Sequence, residues 1–185
     1  MLKELRDKFK FWVTTDRIGP DIPGTYWRLF FKSTMCKLCK KKFMKFADTA
    51  DFRPGAYAIG CSQISIGKRV VIRPGVMLHA ETSTLKQSII IEDDVLIGSG
   101  VQVYVENHKF DSINSSIIDQ GHHQSLQVVL KKGSWIGANV IILPGVTIGS
   151  NSVIGAGSIV TKNVPDYCVA VGNPAKVIKE ITKSK

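Results

Sequence analysis

Residues 130–165 read LKKGSW, IGANVI, ILPGVT, IGSNSV, IGAGSI, VTKNVP. Leu130, Ile136, Ile142, Ile148, Ile154 and Val160 fall every six residues without a slip. The fifth place of each hexad is Ser134, Val140, Val146, Ser152, Ser158 or Val164, always small or β-branched. The same frame recurs as IGKRVV and IRPGVM from Ile66, and as IEDDVL, IGSGVQ and VYVENH from Ile91. An amphipathic helix repeats near 3.6 residues and an exposed strand near 2. A strict six with one large aliphatic per unit fits neither. It fits a short strand plus a corner, with the aliphatic pointing into a narrow prism and Gly or Asn tolerating the corner's backbone angles.

Three such units close one triangular coil of roughly eighteen residues, and coils stack at the ordinary strand spacing of ~4.8 Å. Each coil then hydrogen-bonds only to its neighbours, so the core grows by stacking. The blocks 66–83, 91–108, 130–147 and 148–165 each read as about one coil. Two insertions break the frame: ETSTLKQS from Glu81 to Ser88, and a mostly polar stretch over 109–129. Loops leaving a rigid scaffold are where binding and catalysis concentrate, and one this long reads as functional.

The rest of the composition narrows the class. The chain has 185 residues, 44% hydrophobic and 22% charged. That is one domain's worth, too apolar for disorder. No apolar run approaches the roughly 18 residues of a membrane span. MLKELRDKFKFWV interrupts its apolar residues with charges and reads as no signal peptide. Four cysteines are therefore expected as free thiols in a reducing cytosol. Cys36-Lys-Leu-Cys39 has no second CxxC or His pair beside it, so helix-borne thiols fit better than zinc; Cys61 and Cys168 read as structural.

The net charge of +10 is uneven. Residues 1–50 hold twelve Lys/Arg against five Asp/Glu, and the remainder thirteen against ten. Lys37, Lys40, Lys41, Lys42 and Lys45 are the densest run. Apolar residues at 27, 30, 31, 35 and 38 fit one helical face. Such a face either packs on the protein, leaving the lysines solvated, or lies on an anionic membrane. Packing on the rest of the protein is the expected state. No recognition motif supports nucleic acid.

With these pieces assembled, residues from about Tyr57 to Ile181 resemble the hexapeptide-repeat acyltransferases, in particular bacterial sugar O-acetyltransferases of the maltose, galactoside, capsule and O-antigen types. The resemblance rests on IEDDVLIGSGVQVYVENH ending at His108, on KKGSWIGANVIILPGVTIGSNSVIGAGSIVTKNVP, and on AVGNPAKVIKEI. It implies a mainly β fold, a left-handed parallel β-helix. Three parts are expected: a basic, partly helical segment over 1–56, the β-helix over 57–165 with its loop 109–129, and a tail over 166–185 ending in a short helix. It also implies acetyl-CoA as co-substrate, no metal, a cytoplasmic homotrimer with active sites between subunits, and a sugar or polysaccharide-precursor acceptor. The first fifty residues look more like the leader of polysaccharide-modifying relatives than like the cap of the maltose and galactoside enzymes. They leave contact with the inner face of a membrane open.

Acetyl transfer to a hydroxyl requires a base for the proton and a donor for the developing oxyanion. Histidine, with an ordinary pKa near 6.5, suits the first task. His108 closes its hexad just before the long loop and matches the family's catalytic histidine. His79, one coil earlier, Glu81 and Asn107 are candidate acceptor contacts; Asn107 at a corner equally serves backbone geometry. His122 and His123 read as solvated or interfacial. By resemblance, Ala138 and Ala156 offer backbone groups along the pantetheine arm, while Thr161, Lys162 and Lys176 approach the phosphates. Trp135 fits a coil edge or the pantetheine.

Three other readings stay in view. The same scaffold and base serve N-acetylation of a nucleotide-linked amino sugar. A zinc enzyme of the γ-carbonic anhydrase type needs three histidines, and here His108 is followed next by His122. A non-catalytic repeat module needs neither His108 nor a donor segment.

Overall fold

The computed structural model describes residues 1–80 and 87–182. Glu81, and with it most of the first insertion, lies outside the described residues. The hexads form the expected left-handed parallel β-helix, a three-sided prism built on three sheets. The first face stacks Lys45–Phe46, Ile64–Ile66, Ile89–Ile91, Val128–Leu130 and Thr147–Ile148. The second stacks Asp51–Phe52, Val71–Ile72, Leu96–Ile97, Trp135–Ile136, Val153–Ile154 and Cys168–Gly172. The third stacks Tyr57–Ile59, Met77–His79, Gln102–Tyr104, Ile141–Ile142 and Ile159–Val160.

The frame residues meet one another in register. Ile66, Ile91, Leu130 and Ile148 stack on the first face, and Ile72, Ile97, Ile136 and Ile154 on the second. Leu78, Val103, Ile142 and Val160 do so on the third. All are buried. Val70, Val76, Val95, Val101, Val140 and Val146, from the fifth places, fill the corners and are buried as well. Each buried aliphatic contributes about 1.5–3 kcal/mol on removal from water, which offsets the ordering of two-residue strands that have little pairing energy alone.

Three boundaries differ from the sequence expectation. The prism starts before Tyr57: Phe46, Phe52 and Ala58 already hold the inward places, spaced by six and paired with Ile66, Ile72 and Leu78. Aromatic and Ala side chains there hide the frame, because a starting coil has no coil below and accepts a different volume. The tail, by contrast, ends in no helix. Cys168–Gly172 adds to the second face and Ala175–Glu180 folds back antiparallel on it. β-branched Val169, Val171, Val177 and Ile178 favour that hairpin, and a strand edge was there to be paired.

The third difference is in the amino-terminal segment. Three helices run over Leu2–Thr14 (α1), Thr25–Phe30 (α2) and Lys32–Lys42 (α3). The single face expected over 27–38 is broken because Phe31 is extended, with φ −101° and ψ 129°. The break resets the helical phase. Leu29, Met35, Leu38 and Cys39 are buried, while Trp27, Phe30 and Phe31 face outward. Between α1 and α2, Arg17–Ile18 pairs antiparallel with Tyr57–Ile59 and caps the third face.

Candidate active site

The long loop leaves the corner between the third and first faces, and its two legs are laced together. Lys109 N–H donates to the Gly121 carbonyl at 2.9 Å, His123 N–H to Asn107 at 2.9 Å, and Leu126 N–H to Val105 at 2.7 Å. The Gln120 side chain donates to the carbonyls of Ser112 and Ser115 and accepts from Ser112 N–H. This polar stretch is thus an arm whose two legs are tied to each other by its own backbone and side-chain groups.

Folding the arm back lays His122 on His108, with ring centroids 4.1 Å apart. The two line a cleft of about 400 Å³ together with His79, Tyr104, Glu106 and Asn107. Across it, His79 stacks on Tyr104 at 4.7 Å with planes 12° apart, and Tyr57 meets His79 edge-on at 6.0 Å. The Tyr104 hydroxyl donates to Gln102 Oε1 at 2.5 Å, which fixes the ring. His79 and Tyr104 share a hexad place one coil apart, so the frame itself stacks them. His108, His79 and Asn107 therefore come together.

His122, expected to be solvated or interfacial, is exposed but lines the cleft against His108, and Tyr104 lines it without having been a candidate. The register of the frame could have found Tyr104; nothing short of the arm's folded path could have found His122. An adjoining cleft of about 440 Å³ lies one coil further on, lined by Glu106, Asn107, His123, Leu143, Pro144 and Thr161 among others. Ser125 Oγ donates to Glu106 Oε2 at 3.0 Å, tying the arm's return to the corner.

A separate groove of about 450 Å³ runs along the corner between the second and third faces, and it holds Ala138 and Ala156. Gly98, Gly137 and Gly155 form its floor, with Arg73, Ser99 and Trp135 on its walls. The floor is bare backbone for a steric reason. A Cβ on Gly137 would stand 2.6 Å from Ala156 N and 2.8 Å from the Ile154 carbonyl. Lys176 pairs with Val171 on the hairpin beside Gly155, at the groove's far end.

The structure divides the residues expected along a single donor site. Ala138, Ala156 and Lys176 lie on the groove side, whereas Thr161 sits in the cleft beside Asn107 and Lys162 is exposed next to it. Within one chain the third face stands between groove and His108, on the order of 10 Å for a three-residue strand. Cys36 and Cys39 are on α3, and burial pushes the Cys61 thiol up to about 12, with Asp16 adding to it. Among the described residues no group of three His, Cys, Asp or Glu side chains is placed to hold a metal ion.

The family model for bacterial transferase hexapeptides (six repeats) matches residues 127–162. The chain is 36% identical over 144 residues to the galactoside O-acetyltransferase of Escherichia coli K12, covering 78% of this chain and 67% of that enzyme. A hexapeptide-repeat acetyltransferase of Vibrio cholerae, complexed with acetyl coenzyme A, superposes with a TM-score of 0.73 at 26% identity over 85% of this chain and 86% of the other. A maltose O-acetyltransferase of Clostridium difficile gives a TM-score of 0.71 at 27% identity over 98% and 88%. On the strength of the frame, the cleft and these likenesses together, the chain belongs to the hexapeptide-repeat acetyltransferases.

Proposed function

We propose that the protein moves an acetyl group from acetyl-CoA directly to a hydroxyl of a sugar, in a surface polysaccharide or its precursor. The observation that carries this reading is the cleft in which His108 faces an aromatic stack. The stacked rings of His79 and Tyr104 make a rigid, partly apolar wall against which a sugar could rest, with Asn107 and Glu106 in reach of hydroxyls. The groove fits the donor: a backbone floor lets a thin pantetheine arm lie close, and Arg73 and Lys176 supply cations for phosphates.

Acetyl-CoA supplies an acyl group already activated as a thioester. His108 takes the proton from the acceptor hydroxyl as its oxygen bonds to the acyl carbon, and gives that proton to the departing sulfur as the carbon–sulfur bond breaks. Atoms and charge balance without a covalent enzyme intermediate. His122, packed on His108, orients the imidazole.

The separation of groove and cleft within one chain favours a site shared between subunits of a homotrimer, with the groove of one facing the cleft of the next. His108→Ala should lower turnover by about 10²–10⁴ while acetyl-CoA binding, read by calorimetry, is kept. Ala156→Trp should abolish that binding. Mixing the two inactive proteins should then restore part of the activity, since some sites would hold a good groove and a good base. Full activity of His108→Ala would overturn the assignment of the base; no recovery on mixing would overturn the shared site.

A further inference from the structure

The amino-terminal segment leaves two apolar surfaces uncovered. On α1, Leu2, Leu5, Phe9 and Val13 are spaced for one helical face and are 82%, 54%, 65% and 57% exposed. No residue of α1 is buried. Lys3, Arg6 and Lys10 follow one flank of that stripe at the same helical spacing, and Lys8 on the opposite flank pairs with Glu4 at 3.5 Å. On α2 and the extended Phe31 that follows it, Trp27 and Phe30 stand 6.5 Å apart and Phe30 and Phe31 5.4 Å apart, an outward cluster that Tyr26 extends. Each of these four aromatic rings is more than half exposed. Folding alone gives no reason to leave so much apolar surface in water, and patches of this kind mark contact sites.

We propose that this segment docks the protein on an anionic lipid bilayer, with the α1 stripe at the acyl boundary and the α2 aromatics at headgroup level. Charge complementarity selects the occupant. Residues 1–50 hold twelve Lys/Arg against five Asp/Glu, while the prism is nearly balanced. A row of cations flanking an apolar helical stripe, with Trp and Phe beside it, is the pattern of a helix lying in the interface plane. The lysines of α3 contribute less. Lys32 donates to the Ala50 carbonyl, Lys40 pairs with Asp48 and Lys42 donates to Thr15, so these three hold the segment together.

Attachment would also place the cleft. Arg17–Ile18 continues the sheet to Tyr57–Ile59 and then to His79, so the aromatic end of the cleft lies two strand spacings, about 10 Å, from the docked segment. The docking itself is independent of the acetyl-transfer reading and is measured without donor or acceptor.

The test is cosedimentation of the full chain with phosphatidylglycerol–phosphatidylcholine vesicles and with phosphatidylcholine vesicles. Binding to the first, little binding to the second and weakening by salt are expected. Leu5→Ser with Phe9→Ser should lower the anionic-vesicle affinity by about tenfold or more, and Lys3→Gln or Arg6→Gln by about fivefold each. All four substitutions should leave the melting curve and transfer to a soluble sugar unchanged. Equal binding to both vesicle types, or binding to neither, overturns the proposal. So does a fall in oligomeric mass of the Leu5/Phe9 variant in vesicle-free buffer, which would make a second copy of this chain the occupant.

Discussion

The prism and the segments outside it obey different rules. Within the prism, each inward residue is fixed by the coil above and the coil below, so Ile72, Ile97, Ile136 and Ile154 repeat one choice four times. Outside it, the loop arm and α1 are held by few long-range partners and keep large side chains in water, Ile113 fully exposed among them. The prism has regularity to maintain. The arm and the helices have only a local path to maintain, which leaves their side chains free for other tasks. The cleft draws on both, with His79 and Tyr104 from the prism, His122 from the arm, and Asn107 and His108 from where the two meet.

Emptying equivalent volumes in the two regions should separate them most widely. Ile142→Ala should cost about 2–5 kcal/mol, because the coils on either side hold the cavity open. Ile113→Ala should stay within about 0.5 kcal/mol. Chemical denaturation of both variants measures the difference, and equal values would mean the arm is packed in solution.

Glycine gives a second contrast of smaller size. Gly137→Ala forces a methyl into the backbone of the next coil at 2.6 Å and should cost about 1–3 kcal/mol, while weakening acetyl-CoA binding in the groove. Gly121→Ala meets nothing within 4 Å and carries only the strain of its φ of +75°, about 1 kcal/mol. Thermal melts separate the two.

Thiol chemistry marks a similar division between α3 and the first coils of the prism. Burial raises the thiols of Cys39 and Cys61, whereas Cys36 is only half-buried. A thiol reagent at mildly alkaline pH should label Cys36 rapidly in the native protein and the other two only on unfolding. Above the ordinary thiol pKa of about 8.5 the unfolded chain ionises these thiols while the folded chain does not, so stability should decline as pH rises past that value.

The smallest effect concerns Asp166. Ser150 N–H and the Lys131 ammonium hold its carboxyl below the ordinary range. A depressed folded pKa means its contribution is present above about 3.9 and is lost as pH falls through the folded value. The difference in melting temperature between the wild-type chain and Asp166→Asn should therefore shrink below about pH 4.

From the sequence alone came the prism, its corners, the loop that interrupts it and His108 at the foot of that loop. A period of six is a statement about nearest-neighbour stacking, and it survives in one dimension because each coil touches only the next. Glycines and small residues of the groove were legible for the same reason, as part of the repeat. The tertiary structure alone decided what breaks period. It placed His122 on His108 through the antiparallel legs of the arm, and it split Ala138 and Ala156 from Thr161 by a whole face. It began the prism at Phe46 rather than Tyr57, and it turned Trp27, Phe30 and Phe31 outward when Phe31 left the helix. These are consequences of where a chain goes after it leaves a frame, and that path is set by contacts far apart in sequence which no local spacing encodes.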